Sequence, residues 1–239
     1  MSFPHSLLAR IRASSSPSIV WYGESAERIE LSGRVLDNWV AKTANLLADE
    51  LDVQPGDRVM LATGTHWRTL VFALAAWAVG AEVVTSRADQ GEPGELPRAD
   101  VLFTTDPVRY ADRAETVLAV ALPGLAMTFG GDPGAALDYN TEVRNQPDVF
   151  TPLHPDDPAA AALSTVPAGE AAPRTYRQLA EETGDQSPAR SRLVAAGTPV
   201  ADFLIGAIAD LGCGETIVAT SCTVADELAA IRAAERIAD

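Results

Sequence analysis

A long apolar helix pattern that ends at a glycine limits the possible folds of this chain more than any other feature. Residues 67–79 are almost wholly apolar, and Gly80 ends the pattern. Strand patterns at 58–62 and 81–85 stand on either side of this helix. A helix that is apolar all round must be buried, and a strand–helix–strand unit pairs its strands in parallel through a right-handed crossover. The pattern predicts the centre of an α/β sheet.

The alternation of strands and helices extends over most of the chain. Strands are predicted at 18–22, 28–31, 58–62, 81–85, 101–104, 125–129, 160–164, 192–195 and 215–220. Helices are predicted at 3–13, 32–50, 67–79, 107–121, 138–145, 175–182, 199–211 and 223–237. Ser32 and Thr223 are the predicted N-caps of two of these helices. We expect an α/β protein with two mostly parallel sheets or halves, flanked by helices.

A proline-rich segment interrupts this alternation. Residues 146–158 contain four prolines and predict a loop that wraps over the surface. We predict an N-terminal α/β subdomain at 1–150 and a second, truncated α/β subdomain at 151–239. One continuous domain is the alternative.

Charge and composition exclude several classes of partner. The net charge of −15 argues against nucleic acid and against anionic lipid surfaces, because both attract basic proteins. The run without charge at 70–81 is too short to span a bilayer, and the N-terminus lacks a signal-peptide pattern, so we expect a cytoplasmic protein. Cys213 and Cys222 predict reduced thiols, with Cys213 as a small buried residue at a turn. No metal site is predicted.

Several sequence blocks together carry a family resemblance. They include Pro-Ser-Ile-Val-Trp-Tyr-Gly-Glu at 17–24, Ile-Glu-Leu-Ser at 29–32, Val-Gln-Pro-Gly-Asp-Arg-Val at 53–59 and the apolar helix with Gly-Ala-Glu-Val-Val at 80–84. In this order they resemble the N-terminal part of AMP-forming acyl-CoA synthetases, members of the adenylate-forming superfamily. The chain is also similar to a small actinobacterial family of short, uncharacterised proteins. The resemblance implies the fold of the N-terminal subdomains of these enzymes.

The phosphate loop departs from the family pattern. In the family this loop reads roughly Ser-Gly-Thr-Thr-Gly-x-Pro-Lys. Here Pro173 and Arg174 overlay on Pro-Lys, while the preceding residues keep only Gly169, which Glu170 follows. A phosphate cradle needs bare backbone amides, and a carboxylate repels a triphosphate. We therefore interpret the loop as degenerate.

Four residues near this loop are candidates for cofactor binding. They are Ser164, Thr165, Gly169 and Arg174. The alternative is that the two hydroxyl residues end a strand and that Arg174 is a surface residue at a helix start. The family's Thr-Glu motif, its ribose-binding Asp and its lid Lys have no matching positions in the sequence. No catalytic residue, metal ligand or cofactor is therefore assigned.

The junction at 64–66 is a second place where an anion could bind. Gly64, Thr65 and His66 lie between a predicted strand and the apolar helix, where N–H groups can hold an anion. A solvent-facing or capping role for His66 is the favoured alternative. Trp39, Trp67 and the other tryptophan of that helix, Trp77, are predicted to pack in the core.

These features predict a non-catalytic relative of the acyl-CoA synthetases that acts as a binding or interaction module. The alternative is a small ligand-binding protein or half-enzyme that handles an acyl or nucleotide group in the cleft between the subdomains, near 63–66 and 164–174. A third possibility is a homodimer or a protein partner on the face that a truncated chain leaves open. The small-molecule ligand is unknown.

Overall fold

A computed structural model describes residues 3–86, 97–155, 157–166, 172–184 and 192–237. The helices are α1 (His5–Arg12), α2 (Gly33–Asn45), α3 (Trp67–Ala78), α4 (Tyr139–Glu142), α5 (Tyr176–Glu182), α6 (Val200–Cys213) and α7 (Ala225–Glu235). The strands are β1 (Pro17–Tyr22), β2 (Arg28–Ser32), β3 (Arg58–Ala62), β4 (Glu82–Ser86), β5 (Ala99–Thr104), β6 (Ala114–Ala119), β7 (Leu137–Asp138), β8 (Ala161–Val166), β9 (Arg174–Thr175), β10 (Leu193–Val194) and β11 (Ile217–Thr220). A π-helical turn extends α2, and a 3-10 turn extends α4.

The larger sheet has seven strands in the order β7-β6-β5-β3-β4-β8-β9. All neighbours from β7 to β8 are parallel, and β9 runs antiparallel to β8. The central residues of β3 are apolar and buried on both faces of the sheet. The parallel strands all point the same way. We call the side of the sheet at which these strands end the carboxyl edge, and the side at which they begin the amino edge.

The smaller sheet has four strands in the order β10-β11-β1-β2. β1 and β2 form the predicted antiparallel hairpin, and β1 also pairs in parallel with β11, with Ile19 opposite Ile217. Helices α2, α3 and α6 connect the two sheets: α2 contacts β1, β2 and α3, while α6 contacts β4, β8 and β11. Every residue of α3 is buried. The predicted α/β class with two mostly parallel sheets is confirmed.

Each sheet combines strands from both sides of residue 150. β8 pairs with β4 in the larger sheet, and β11 pairs with β1 in the smaller one. The division into subdomains at 1–150 and 151–239 stays a prediction, as does the alternative of one continuous domain.

The local signals at the predicted helix ends are largely confirmed. The Ser32 hydroxyl accepts a hydrogen bond from the Val35 amide, as an N-cap does. Helix α3 stops before Gly80, whose φ of +87° favours glycine. A reciprocal capping box between Thr175 and Gln178 starts α5.

The predicted helix at 107–121 is wrong, because its second half forms strand β6. Leu118 and Val117 pack into apolar clusters on opposite faces of the sheet. Burial on both faces removes the alternating pattern that identifies a strand, and the continuous apolar run that remains resembles a helix.

Two further local predictions are wrong. Residues 125–129 form turns rather than a strand, and Leu125 is 94% exposed. The outer parallel position of the sheet is taken by the short strand β7 instead. Helix α7 begins at Ala225 with Val224 before it, so the Thr223 side chain does not cap it.

Candidate functional site

The structure places three of the predicted binding residues on neighbouring strands. Ser164 and Thr165 lie in β8 opposite Val84 and Thr85 of β4. Arg174 lies in β9, which pairs with β8. Gly169 and Glu170, like the rest of 167–171, lie outside the described residues. The junction at 64–66 follows β3, which β4 separates from β8.

The hydroxyl groups of β8 are bonded to the neighbouring strand. The Thr165 hydroxyl lies 3.3 Å from that of Thr85, which donates to the Ser164 carbonyl at 3.2 Å. The Ser164 hydroxyl donates to the Glu82 carboxylate. These side chains therefore fasten β8 to β4, and they would have to change partners to hold an anion.

The cation among the candidate residues already has an anionic partner. The Arg174 guanidinium lies 2.5 Å from a carboxylate oxygen of Glu182, the last residue of α5. An arginine that binds phosphate needs its N–H groups directed at the ligand. Whether any of the four candidate residues binds a cofactor stays a prediction.

The turn after β3 is closed by short polar contacts. The Thr69 hydroxyl lies 2.8 Å from that of Thr63 and donates to the Gly64 carbonyl at 2.7 Å. The Thr65 hydroxyl donates to the Thr198 carbonyl at 2.8 Å, which ties the turn to the start of α6. The hydroxyls thus hold the chain in place at the carboxyl edge.

His66 is the N-cap of α3 and is only 3% exposed. Its Nδ1 accepts the Arg68 amide proton at 3.1 Å, and its ring meets the Trp21 ring edge-on at 4.4 Å between centroids. Burial lowers the pKa of His66 to about 3, and the nearby positive charge of Arg68 adds to the effect. The capping prediction is confirmed, and the solvent-facing alternative is wrong. A neutral His66 presents an acceptor rather than a positive charge.

Arg68 is a buried cation that the sequence analysis missed. It is 2% exposed, and its Cζ lies over the rings of Trp39 and Trp67, 5.2 and 4.5 Å from their centroids. Its Nε lies 3.5 Å from the Leu122 carbonyl, while its Nη1 has no hydrogen-bond partner among the residues that the structure describes. Burial lowers the pKa of Arg68. A lone charge in an otherwise apolar helix was the available signal.

Trp67 and Trp77 are buried as predicted, and Trp39 packs against the same core. The Trp67 ring also faces the Arg68 guanidinium, so this core residue contacts a buried positive charge.

The cysteines are both thiols, and the predicted burial of Cys213 is wrong. Cys213 is exposed, because α6 ends there before the left-handed Gly214. Cys222 is half-buried. The part of the chain that the structure describes contains no group of three or more His, Cys, Asp or Glu residues suited to a metal ion.

The family follows from comparison with known proteins. Residues 12–161 match the family model described as AMP-binding enzyme, and this span includes β1 to α4. The chain belongs to the AMP-binding enzyme family. A relative from Mycobacterium tuberculosis, described as a TIGR03089 family protein, is 36% identical over 150 residues, which is 62% of this chain and 61% of the relative.

Solved structures of larger proteins share the fold. The acyl-CoA synthetase of Brucella canis has a TM-score of 0.74 at 16% identity, over 96% of this chain and 46% of the synthetase. A fatty acyl CoA synthetase of Mycobacterium tuberculosis has a TM-score of 0.73 at 15% identity, over 97% and 47%. The chain therefore spans about half the length of these structures. The predicted resemblance to the N-terminal part of acyl-CoA synthetases is confirmed.

No helix in the described ranges combines the length and the apolar character needed to cross a bilayer. The cytoplasmic location stays a prediction.

Proposed function

We propose that this member of the AMP-binding enzyme family is a non-catalytic binding or interaction module. The observation that supports the proposal is that the polar groups of the candidate binding residues already have partners within the chain. The Ser164 hydroxyl contacts Glu82, the Thr165 hydroxyl contacts Thr85, and Arg174 pairs with Glu182. A nucleotide phosphate would have to displace these contacts before it gained its own.

The charges around these groups strengthen the argument. Both Ser164 and Arg174 contact carboxylates, so an incoming phosphate would meet negative charge beside each donor. The sequence adds Glu170 to the loop between them, and the whole chain carries a net charge of −15. Like charges at short range oppose binding, and a net negative charge slows the approach of a polyanion.

Calorimetric titration with ATP and magnesium tests the proposal. We expect no measurable heat of binding at protein concentrations of roughly 100 μM, which corresponds to a dissociation constant above about 1 mM. A full-length acyl-CoA synthetase titrated in parallel is the positive control. A dissociation constant in the micromolar range or tighter would contradict the proposal.

Pyrophosphate release separates the module from the alternative of a half-enzyme. We expect a panel of carboxylic acids with ATP and magnesium to give no release above a protein-free control. Release that Arg174→Ala removes would favour the half-enzyme and assign a role to that arginine.

One surface observation favours an interaction role. Leu125, Met127 and Leu137 are all exposed near the outer strand β7, where the Phe129 amide bonds to the Asp138 carboxylate and holds the turns against the strand. Large apolar side chains grouped at a sheet edge are typical of a protein contact. We propose that a second copy of the chain or another protein binds beside the outer strand β7.

Light scattering after size-exclusion chromatography tests the homodimer. We expect a dimer whose fraction falls in the double variant Leu125→Ser, Met127→Ser. Val149→Ser is the control, because it removes an exposed apolar side chain from another part of the chain. A strict monomer at all concentrations would exclude the homodimer.

A further inference from the structure

Two adjoining cavities lie at the amino edge of the larger sheet. The first, of about 220 Å³, is lined by residues at the end of α3 and the start of α5, including Trp77, Val79 and Tyr176. The second, of about 390 Å³, lies between α1 and α2. Ala78 and residues of the segment 150–155 line both. We call this segment the strap and the two cavities together the strap groove.

The strap is held by groups at its two ends. Before it, Lys42 donates to the Gln146 carbonyl, and Asn45 Nδ2 donates to the carbonyls of Pro147 and Val149 at 2.9 and 3.0 Å. After it, the Arg177 amide donates to the Pro158 carbonyl at 2.9 Å. The strap itself belongs to no helix or strand, so these contacts hold it at both ends.

The two aromatic rings in the wall of the first cavity present carbon rather than polar atoms. Trp77 Nε1 donates to the Ala162 carbonyl at 2.7 Å, and the Tyr176 hydroxyl donates to the Ala81 carbonyl at 2.7 Å. The polar atoms of both rings are therefore satisfied within the protein, and the rings contribute apolar surface. Together the two cavities reach the size of small-molecule sites, roughly 300–1,000 Å³. The groove suits the apolar part of a ligand.

Two carboxylates line the same cavity. Asp52 accepts from Gln54 Nε2 at 2.9 Å, and Asp157 accepts from the Ala159 amide at 2.9 Å. Among the described residues, neither aspartate forms an ion pair. In the second cavity the only described arginine, Arg12, is paired with Asp37 at 2.6 Å. The net charge available to a ligand in the groove is therefore negative.

We propose that the strap groove binds an amphiphilic organic cation. Its apolar body lies against Trp77, Tyr176 and the strap, and its protonated amine lies near Asp52 and Asp157. The site is at the opposite edge of the sheet from the junction at 64–66, one of the two places where an anion was predicted to bind. It does not depend on whether a nucleotide binds there.

Three probes of equal chain length test both halves of the proposal: octylamine, octanol and octanoate, titrated near neutral pH and followed by calorimetry. We expect octylamine to bind best and octanoate least, with octylamine about fivefold tighter than octanol, since a partly exposed ion pair contributes a factor of this size. Equal affinity of the three probes would overturn the role of the carboxylates. Failure of all three to bind would overturn the site.

Two variants locate the binding. Ala78 lies in the wall that both cavities share, and Ala78→Phe places a large ring there. We expect this variant to abolish binding of octylamine and octanol alike. If a cooperative thermal unfolding transition shows that this variant is folded and it still binds octylamine, the proposed site is wrong. Asp157→Asn keeps an oxygen for the Ala159 amide and should bring octylamine close to octanol, whether or not Ala78→Phe folds.

Asp132→Asn is the matched control for the charge. The Asp132 carboxylate accepts the Gly134 amide at 2.9 Å, the same local contact as that of Asp157, but it does not line the groove. We expect this variant to keep the preference for octylamine, and an equal loss in both variants would show general charge attraction instead. Titrating the same samples with ATP and magnesium separates failure of this site from failure of the proposed function.

Discussion

The two edges of the seven-stranded sheet differ in what their side chains leave available. At the carboxyl edge, Thr65, Thr69 and His66 bond to backbone groups of the chain. At the amino edge, the strap covers about 220 and 390 Å³ of space lined largely by carbon. The polar groups named at the carboxyl edge are bonded within the chain, whereas the amino edge has space and two aspartates without an ion pair among the described residues. Position in a scaffold therefore does not decide where a ligand fits, because unoccupied donors or volume are also needed.

The largest expected effect is a loss of stability in acid, caused by His66 at the carboxyl edge. The pKa of His66 is about 3 in the folded chain against 6.5 for the ordinary group, so the unfolded chain binds the additional proton between these values. Below about pH 6.5 the free energy of unfolding therefore falls by about 1.4 kcal/mol per pH unit. At about pH 4 the loss is about 3 kcal/mol. Urea unfolding near neutral pH and at the acid end measures the loss.

The variant His66→Asn isolates this effect. Its amide oxygen can still accept the Arg68 amide proton as an N-cap, but it does not titrate. We expect the loss of stability on acidification to be about 3 kcal/mol smaller in this variant. The exposed His154→Asn is the control and should behave as the unaltered chain. Equal losses in both variants would mean that His66 is not buried as described.

The next effect in size concerns Arg68. Lysine cannot lie flat over the rings of Trp39 and Trp67 as a guanidinium does and would leave a compact charge in the same buried place, so we expect Arg68→Lys to cost about 2 kcal/mol. Arg68→Met keeps the length and removes the unpartnered Nη1, so it should cost less than about 1 kcal/mol. Chemical denaturation measures both. If Arg68→Met cost more than Arg68→Lys, the charge itself would stabilise this part of the carboxyl edge.

Two glycines allow a direct comparison of the edges. Gly64 has φ +66° with open space around it, while Gly80 has φ +87° and a Cβ there would meet Pro55 at 3.1 Å. We expect Gly80→Ala to cost about 2 kcal/mol and Gly64→Ala about 1 kcal/mol. Thermal unfolding of the two variants provides the measurement. Equal costs would indicate that the turn at Pro55, beside the strap groove, moves easily.

The smallest effect is expected for Glu182→Gln. The ion pair with Arg174 is partly exposed, so its loss should change the free energy of unfolding by less than about 0.5 kcal/mol. We also expect titration with ATP and magnesium to stay without heat, because one released cation does not make a phosphate cradle. Heat from this variant alone would show that Glu182 blocks a site that is otherwise intact.

The sequence predicted the elements whose signals are local. The strand–helix–strand unit around α3 and the cap at Ser32 each depend on a few neighbouring residues. Strand β6 was missed because burial on both faces removes the alternation.

The contacts of the candidate site depend on residues far apart in the chain. Ser164 could be placed near the end of a strand, but its partner Glu82 is on β4. The burial of His66 depends on Trp21 from the other sheet. The strap groove combines α1, α2, α3, α5 and the strap, and no short pattern reports such a space.

The pairing of β1 with β11 has a consequence for synthesis. Tyr22 leaves the ribosome well before Ile217, and at roughly 5–20 residues per second the interval is on the order of 10–40 s. During that time one edge of the N-terminal hairpin has no strand to pair with, and such edges promote aggregation. The protein must therefore complete its smaller sheet late, and its folding yield in the cell should depend on chaperones that shield nascent chains.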